Sequence, residues 1–287
     1  MLFRSPFSRD QRSWVYASSK KENNYFGFGS DNDMELSPNY LIIKHSAFPL
    51  ASPHPGEPDY DPDHRCPCAK TLGGFRQRKK AFRPQSIINV SGMSYGSLSG
   101  PAVEALNRGC QIAGCLQSTG EGGISPYHQR GGELVWQIGT GYFGCRELDG
   151  RFSEQKLLAT LEANPQVRAL EIKLSQGAKP GAGGILPRAK ITPEIAEIRG
   201  IPLDQDCISP ASHSAFRDTD GLLDFVERLA DLTGLPVGIK SAVGESAFWH
   251  DLARLMQDGG RGVDFITIDG GEGGTGAGPL EIGRAHV

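Results

Sequence analysis

An α/β barrel is the fold class this sequence predicts, and three observations lead there. From residue 85 onward, short apolar runs of strand length alternate with amphipathic segments of helical period. Glycine and small polar residues recur directly after the apolar runs, as in "SGMSYG", "STGEGG" and "DGGEGGTG". The 38 glycines among 287 residues cluster in such runs rather than in a repeat, which marks tight loops that come close to a ligand.

Taken in order, residues 1–84 are polar, rich in Pro, Asp, His and Arg, and weakly periodic; "HPGEPDYDPDHRCPC" (54–68) is a loop. This stretch reads as an arm preceding a barrel domain at 85–281. "SIINVSGMSYG" (86–96) reads as the first strand. A helix follows, with Ser99 as N-cap, Pro101 in the first turn, and Val103, Leu106, Cys110 and Ala113 on one face. "GCLQSTGEGG" (114–123) is the second strand with its loop, and 124–166 reads as a long insertion. "VRALEIKLSQGAKPGAGG" (167–184) supplies the third strand, and "TPEIAEIRG" a helix opened by Pro193. "QDCISPASH" (205–213) reads as a shorter fourth strand. "DTDGLLDFVERLADLTG" is an amphipathic helix that buries Leu222, Phe225, Val226 and Leu229. "LPVGIKSAV" (235–243) is the fifth strand, "SAFWHDLARLMQDGG" a helix stopped by glycine, and "VDFITIDGGEGGTG" (263–276) the sixth strand with its loop. βα units spaced mostly about thirty residues apart imply a parallel sheet. An open dinucleotide-binding sheet wants GxGxxG after its first strand, which "SGMSYGSLSG" does not supply. A barrel, whose strand ends converge on one site, fits better; eight strands complete it, and six are read here.

Composition excludes several classes. A net charge of −3 and a pI near 6.2 give no electrostatic case for nucleic acid or an anionic membrane. Hydrophobic content of 38% with 22% charged residues suits a globular core. No apolar stretch reaches membrane-spanning length, and residues 1–30 lack a signal-peptide core. Cys66, Cys68, Cys110, Cys115, Cys145 and Cys207 show no disulfide-framework spacing, which points to a cytoplasmic protein. Cys66 and Cys68 read as two loop cysteines rather than half of a metal site.

The strand ends carry the chemistry. They present Met93, Ser94 and Gly96; Ser118, Thr119, Gly120 and Glu121; Lys173 with Gln176 and Lys179; Ser209; Lys240; and Asp269, Gly270, Gly271 and Glu272. Lys173 and Lys240 end "EIK" and "GIK" and are expected on non-adjacent strands that face one barrel mouth. Paired cations repel unless an anion lies between them. A reduced flavin, anionic at its N1–C2=O edge and carrying a phosphate for Gly-rich N–H groups, suits that place. The plainer alternative pairs each lysine with Glu121, Glu171 or Asp269.

"MSYGSLSGPAVEALNRG", "STGEGG", "EIKLSQGAKPGAGGILPRAKITPEIAEIRG", "DCISPASHS", "PVGIK" and "DGGEGGTGA" resemble the FMN-binding synthase domain of glutamate synthases, over roughly residues 85–281. "QRSWVYASSKK" and the Phe-Gly stretch near 26–29 resemble that family's region before the barrel. The resemblance implies an FMN-binding (β/α)8 barrel that reduces the imine of 2-oxoglutarate and ammonia to L-glutamate. It places Met93 and Ser94 along the flavin ring, Thr119 and Gln137 in hydrogen bonds to it, and Lys173 and Lys240 at its N1–C2=O edge. It puts the backbone of Gly270, Gly271, Gly273 and Gly274 at the cofactor's tail, and Lys179 and Arg199 at the keto-acid carboxylates, where an Arg fork suits a bidentate anion.

Departures from the family pattern shape the expectation. The family's full-length enzymes read Gly-Glu-Gly-Gly-Gln after "AKP", whereas this chain has Gly181, Ala182, Gly183, Gly184 and Ile185, so the substrate is 2-oxoglutarate or a related keto acid. No glutaminase domain and no iron–sulfur cysteines accompany the barrel, so electrons are expected from a separate ferredoxin-like or NAD(P)H-linked donor. The alternative is a non-catalytic or differently specific FMN- or phosphate-binding barrel. With six strands read, the sequence is expected to be a piece of a longer chain, whose lost N-terminal part leaves room for a membrane anchor upstream. "LFRS" (2–5) and "IGRAHV" (282–287) match translated sequencing-adapter strings, so 282–287 is expected to be a non-native tail.

Overall fold

The structure, a computed structural model, describes residues 70–177 and 184–270 together with a few isolated positions before residue 70. The chain divides into two compact units between His64 and Arg65, and every element below belongs to the second. In chain order these are α1 (Gly100–Ala113), β1 (Gln117–Ser118), β2 (Leu134–Ile138), α2 (Glu154–Ala163), β3 (Val167–Lys173), β4 (Ile185–Leu186), α3 (Pro193–Arg199), β5 (Cys207–Ile208), α4 (Thr219–Thr233), β6 (Val237–Ala242), α5 (Ser246–Leu255) and β7 (Ile266–Asp269). Five strands form one curled, wholly parallel sheet in the order β1-β2-β3-β6-β7. β4 and β5 form a separate antiparallel ribbon.

Three sequence expectations are corrected. Residues 124–166 are not an insertion, because they hold β2 and α2. All five residues of "LVWQI" in β2 are buried. A parallel strand covered on both faces has no alternation to betray it. The segment 205–213 is not a strand of the main sheet: Cys207 and Ile208 pair with Leu186 and Ile185, and the sheet passes from β3 directly to β6. Ile208 is 61% exposed, and Pro210 just beyond it has no N–H to extend a ladder. The stretch 86–96 contributes only Val90, in an isolated parallel bridge to Gln117.

The two faces of the sheet differ in kind. One is sealed by helices: Leu134, Trp136, Ile138, Leu170, Ile172, Val237 and Ile239 pack against Leu222, Leu223, Phe225, Val226 and Leu229 of α4, Leu157 of α2 and Leu252 of α5. Each fully buried aliphatic side chain there contributes about 1.5–3 kcal/mol. α4 is set for this packing by Asp218, whose carboxylate caps Gly221 N, and by Gly234, which ends the helix at φ +74. α1 departs from its expected face. Val103 and Cys110 are buried, but Asn107 joins them in place of Leu106 and Ala113, because its amide is needed below β2. It accepts from Arg130 N and Gly132 N and donates to Gln117.

Among the described residues the other face is free of helices, and it is graded along the strands. Its floor is apolar, with Leu116, Val135 and Ala169 packed on Phe82, and Leu72 and Phe265 alongside. Gly238 shares this level because a Cβ there would lie 2.5 Å from the Phe265 ring. The segment 70–84 closes the floor through an antiparallel bridge between Leu72 and Phe82. Arg78 fastens it: its guanidinium meets Glu227 of α4 at 2.5 and 2.8 Å and Asp264 at 3.0 Å. Burial pushes the Glu227 carboxyl up, but the Arg78 bond, the Gly262 N–H and the charges of Arg78 and Arg76 together outweigh it and hold Glu227 below the ordinary range. Breaking so buried a pair from one side costs about 3–5 kcal/mol.

A second buried group makes stability depend on pH. His128 ends the short 3-10 turn Pro126–His128, and its Nδ1 accepts from Ser125 N at 3.0 Å. Burial depresses its pKa from 6.5 to about 4. The unfolded chain therefore binds the extra proton first, so this contribution is complete above about pH 6.5 and is lost as pH falls toward 4. Urea unfolding between pH 4 and 7 is expected to show falling stability that is flattened in His128→Asn; an equal slope in the variant contradicts the assignment.

Candidate functional site

Above the apolar floor, the helix-free face turns polar at the C-terminal ends of the strands. Parallel register sets Gln137 of β2 opposite Glu171 of β3. Gln137 Nε2 donates to one Glu171 oxygen at 2.5 Å, and Thr267 Oγ1 of β7 donates to the other at 2.6 Å. Two donors on the two oxygens suit an ionised carboxylate and tie three strands at one level.

One level higher, Lys173 and Lys240 are direct partners on neighbouring strands. This corrects the expectation of non-adjacent strands. Strand neighbours lie about 4.8 Å apart, a spacing at which two bare ammonium groups repel strongly. Each lysine instead has a carboxylate of its own: Lys173 Nζ lies 3.0 Å from Glu121 Oε1, and Lys240 Nζ lies 3.0 Å from Asp269 Oδ1. Lys173 also donates to Gln176 Oε1 at 3.0 Å. Asp269 accepts from Gly177 N at 2.8 Å, which draws the loop after β3 onto the end of β7. A side chain on Gly177 would overlap the Gly270 carbonyl, so only glycine allows that approach. With Lys173 and Lys240 against Glu121, Glu171 and Asp269, the cluster carries 2 − 3 = −1 formal charge. No outside anion is required to balance the lysines.

The remaining expected residues lie around this cluster. Thr119 is buried, donates to the Gly120 carbonyl and accepts from Gln137 N, so its hydroxyl joins β1 to β2. Met93 is partly exposed, and Ser94 Oγ pairs with Ser97 Oγ. Their backbone lies on Gly120, where a Cβ would come within 2.5 Å of Ser94 N. Arg199 is buried at the end of α3; it donates to the Tyr95 carbonyl at 3.0 Å, and its guanidinium sits 5.1 Å from the Phe143 ring centre. Among the described residues no carboxylate pairs with it. Burial and a bond to Glu194 raise the Tyr95 phenol well above its ordinary range, and burial keeps the Cys207 thiol protonated despite Arg199 beside it. Gly270 is described, whereas Lys179, Gly271, Gly273 and Gly274 lie outside the described residues, as do Cys66 and Cys68.

Two cavities border the cluster. One of about 480 Å³ lies on the helix-free face, with Val90, Gly92, Ser118, Glu171, Lys240 and Thr267 in its wall. The Ser118 hydroxyl has no partner among the described residues. The other, of about 420 Å³, is lined by Ser94, Glu121, Phe143, Ile185, Lys190 and Arg199. A wider groove of about 700 Å³ lies beyond Arg199, between α2 and α3. Sequence reasoning missed Thr267, Lys190, Tyr142 and His213. For Thr267 a signal existed: it stands two residues before Asp269 and so shares its face. For Tyr142 and His213, both in loops, no periodicity could speak.

Comparison with known proteins gives a consistent result. The family described as "Conserved region in glutamate synthase" matches residues 68–286. The chain is 35% identical over 306 residues to the glutamate synthase large subunit-like protein YerD of Bacillus subtilis, covering 96% of this chain and 58% of that protein. It is 37% identical over 222 residues to the archaeal-type glutamate synthase [NADPH] of Thermotoga maritima, covering 75% and 40%. It is 35% identical over 206 residues to the archaeal glutamate synthase [NADPH] of Methanocaldococcus jannaschii, covering 70% and 36%. The chain thus spans about half the length of these curated relatives.

The ion pairs make a specific stability prediction. Asp269→Ala leaves the Lys240 ammonium, whose side chain is 5% exposed, without its carboxylate. A loss of about 3 kcal/mol is expected on denaturant unfolding, and Lys240→Met added to it should restore most of that loss. Equal stability of the single and double variants contradicts the pairing.

Proposed function

Because the chain belongs to the family of the conserved region in glutamate synthase, we propose that it forms the flavin site of a glutamate synthase-type oxidoreductase. In this reading residues 85–281 are the FMN-binding barrel domain, 1–84 the arm before it, and FMN lies on the helix-free face. The observation that carries the reading is the in-register pair Lys173 and Lys240, of which Lys240 lines a cavity of about 480 Å³. That volume lies within the range of small-molecule and cofactor sites. The residues present fit the cofactor: Lys240 offers N–H groups at the wall, Ser118 has a hydroxyl without a partner among the described residues, and Gly92 leaves the approach open. A Cβ at Gly92 would stand 2.9 Å from the Gln137 amide nitrogen.

When bound, FMN supplies the two electrons that reduce an imine of a 2-oxo acid and ammonia to the amino acid. The chain's own residues prepare that step. Lys173 and Lys240 present N–H donors to charge that develops at the flavin's N1–C2=O edge, and the carboxylates Glu121 and Asp269 hold them there. Backbone N–H groups of Gly270, Gly271, Gly273 and Gly274 take the phosphate end. Arg199, a buried cation with no carboxylate of its own among the described residues, takes the carboxylate of the keto acid together with Lys179. Electrons come from a separate ferredoxin-like or NAD(P)H-linked reductase. Among the described residues no helix is long and apolar enough to cross a membrane, and we place the reaction in the cytoplasm.

A second reading has one observation in its favour. Ile185 stands in the wall of the Arg199 cavity and offers no hydrogen-bond donor, which favours a keto acid other than 2-oxoglutarate on the same scaffold. Turnover with a panel of 2-oxo acids distinguishes the two.

In the full-length protein, Lys173→Ala is expected to lower flavin retention and to make the flavin harder to reduce, by a few kcal/mol for one lost cation in a site of reduced dielectric. Flavin absorbance after gel filtration and a spectroelectrochemical titration measure both. An unchanged reduction potential counts against the assignment.

A further inference from the structure

Behind Lys173 lies a polar network that the proposed chemistry does not use. His213, buried in the loop after β5, has Nε2 2.9 Å from the Lys173 carbonyl oxygen and Nδ1 3.1 Å from the Tyr142 hydroxyl. A carbonyl can only accept, so Nε2 carries a proton. In the Nε2–H tautomer Nδ1 accepts from the Tyr142 O–H, and the Tyr142 oxygen accepts from Ala215 N at 3.1 Å, so that every donor in this chain points toward Lys173.

The surroundings hold the network in one arrangement. The imidazole stacks on Phe216 at 4.8 Å and meets the Tyr142 ring edge-on at 5.4 Å. Tyr142 is fully buried and sits at φ +49, in the left-handed region that a residue with a side chain adopts rarely and keeps only where its neighbours over-determine it. The loops after β2 and β5 are therefore joined through His213 to the backbone oxygen of the last residue of β3.

We propose that His213, held as its Nε2–H tautomer by Tyr142, is a positioning residue for Lys173. It fixes the last carbonyl of β3 while Glu121 and Gln176 fix the ammonium, so the lysine is held at both ends and has one place to stand. The catalytic meaning of this rests on the reading of Lys173 as a cation beside the flavin; the positioning itself does not.

The test uses the full-length protein and three variants. His213→Leu removes both ring nitrogens, His213→Gln keeps an N–H donor, and Tyr142→Phe removes only the hydroxyl. Amine-reactive labelling read by mass spectrometry is expected to rise about tenfold at Lys173 in His213→Leu, to return toward wild type in His213→Gln, and to stay within about twofold at Lys240 in both. Nitrogen-15 histidine spectra should show the Nε2–H tautomer in wild type and a mixture in Tyr142→Phe, which also covers the case that His213→Leu does not fold. In the flavin-loaded protein, Tyr142→Phe should lower kcat about tenfold with KM for the keto acid little changed. An Nδ1–H tautomer in wild type, or equal Lys173 labelling in the Leu and Gln variants, overturns the proposal. Labelling and tautomer changes as expected in a protein that binds no flavin uphold the positioning and refute the proposed function instead.

Discussion

Two ammonium groups stand at the same level of neighbouring buried strands, and the rest of the site is arranged around the need to keep them there. Lys173 and Lys240 face each other across the β3–β6 ladder, and each is neutralised from a different direction. Glu121 reaches Lys173 from the loop after β1, and Asp269 reaches Lys240 from the end of β7. Below them Glu171 is held by Gln137 of β2 and Thr267 of β7. Polar groups from β2, β3, β6, β7 and the loop after β1, and among the described residues from none of the helices, thus converge on two adjacent levels. A buried charge is tolerable only when paired and hydrogen-bonded, so the strand order and register are as much part of the site as its side chains.

This polarity is sustainable because stability is supplied elsewhere. The helix-covered face holds most of the large buried side chains, and the apolar floor with Phe82 closes the near end. The Arg78 clamp to Glu227 and Asp264 binds the floor segment to α4 and to the approach of β7. Asp264 also accepts from Val237 N at the start of β6, so the clamp sets the register of the lysine-bearing strand from its far end. The strand tops are left free to satisfy chemistry rather than packing.

The sequence made the class of fold and the pairing of two lysines on equivalent strands legible, for reasons that differ by residue. α4 was readable because Leu222, Phe225, Val226 and Leu229 repeat at helical period beside a glycine stop, and all four are buried. Lys173 and Lys240 were readable as a pair because they close the matching tripeptides "EIK" and "GIK" in two buried strands. Their adjacency was not, since it depends on sheet order, and Cys207–Ile208 carried enough apolar character to pass for an intervening strand. β2 hid in the opposite way: a Gln inside a fully buried run breaks both the apolar and the alternating pattern, yet Gln137 is buried because Glu171 needs its amide. The plainer alternative of lysines paired with Glu121 and Asp269 proved the correct description of their electrostatics. Contacts such as His213 with Tyr142 join loops 71 residues apart, and local pattern carries no trace of them.

A crystal structure of the full-length protein soaked with FMN tests whether a flavin binds the helix-free face at the level of Lys173 and Lys240. The expected result is the flavin ring in the cavity between Gly92 and Thr267, with its N1–C2=O edge toward Lys240 and Lys173. Flavin density in the groove between α2 and α3, or none on the helix-free face at full loading, would contradict it.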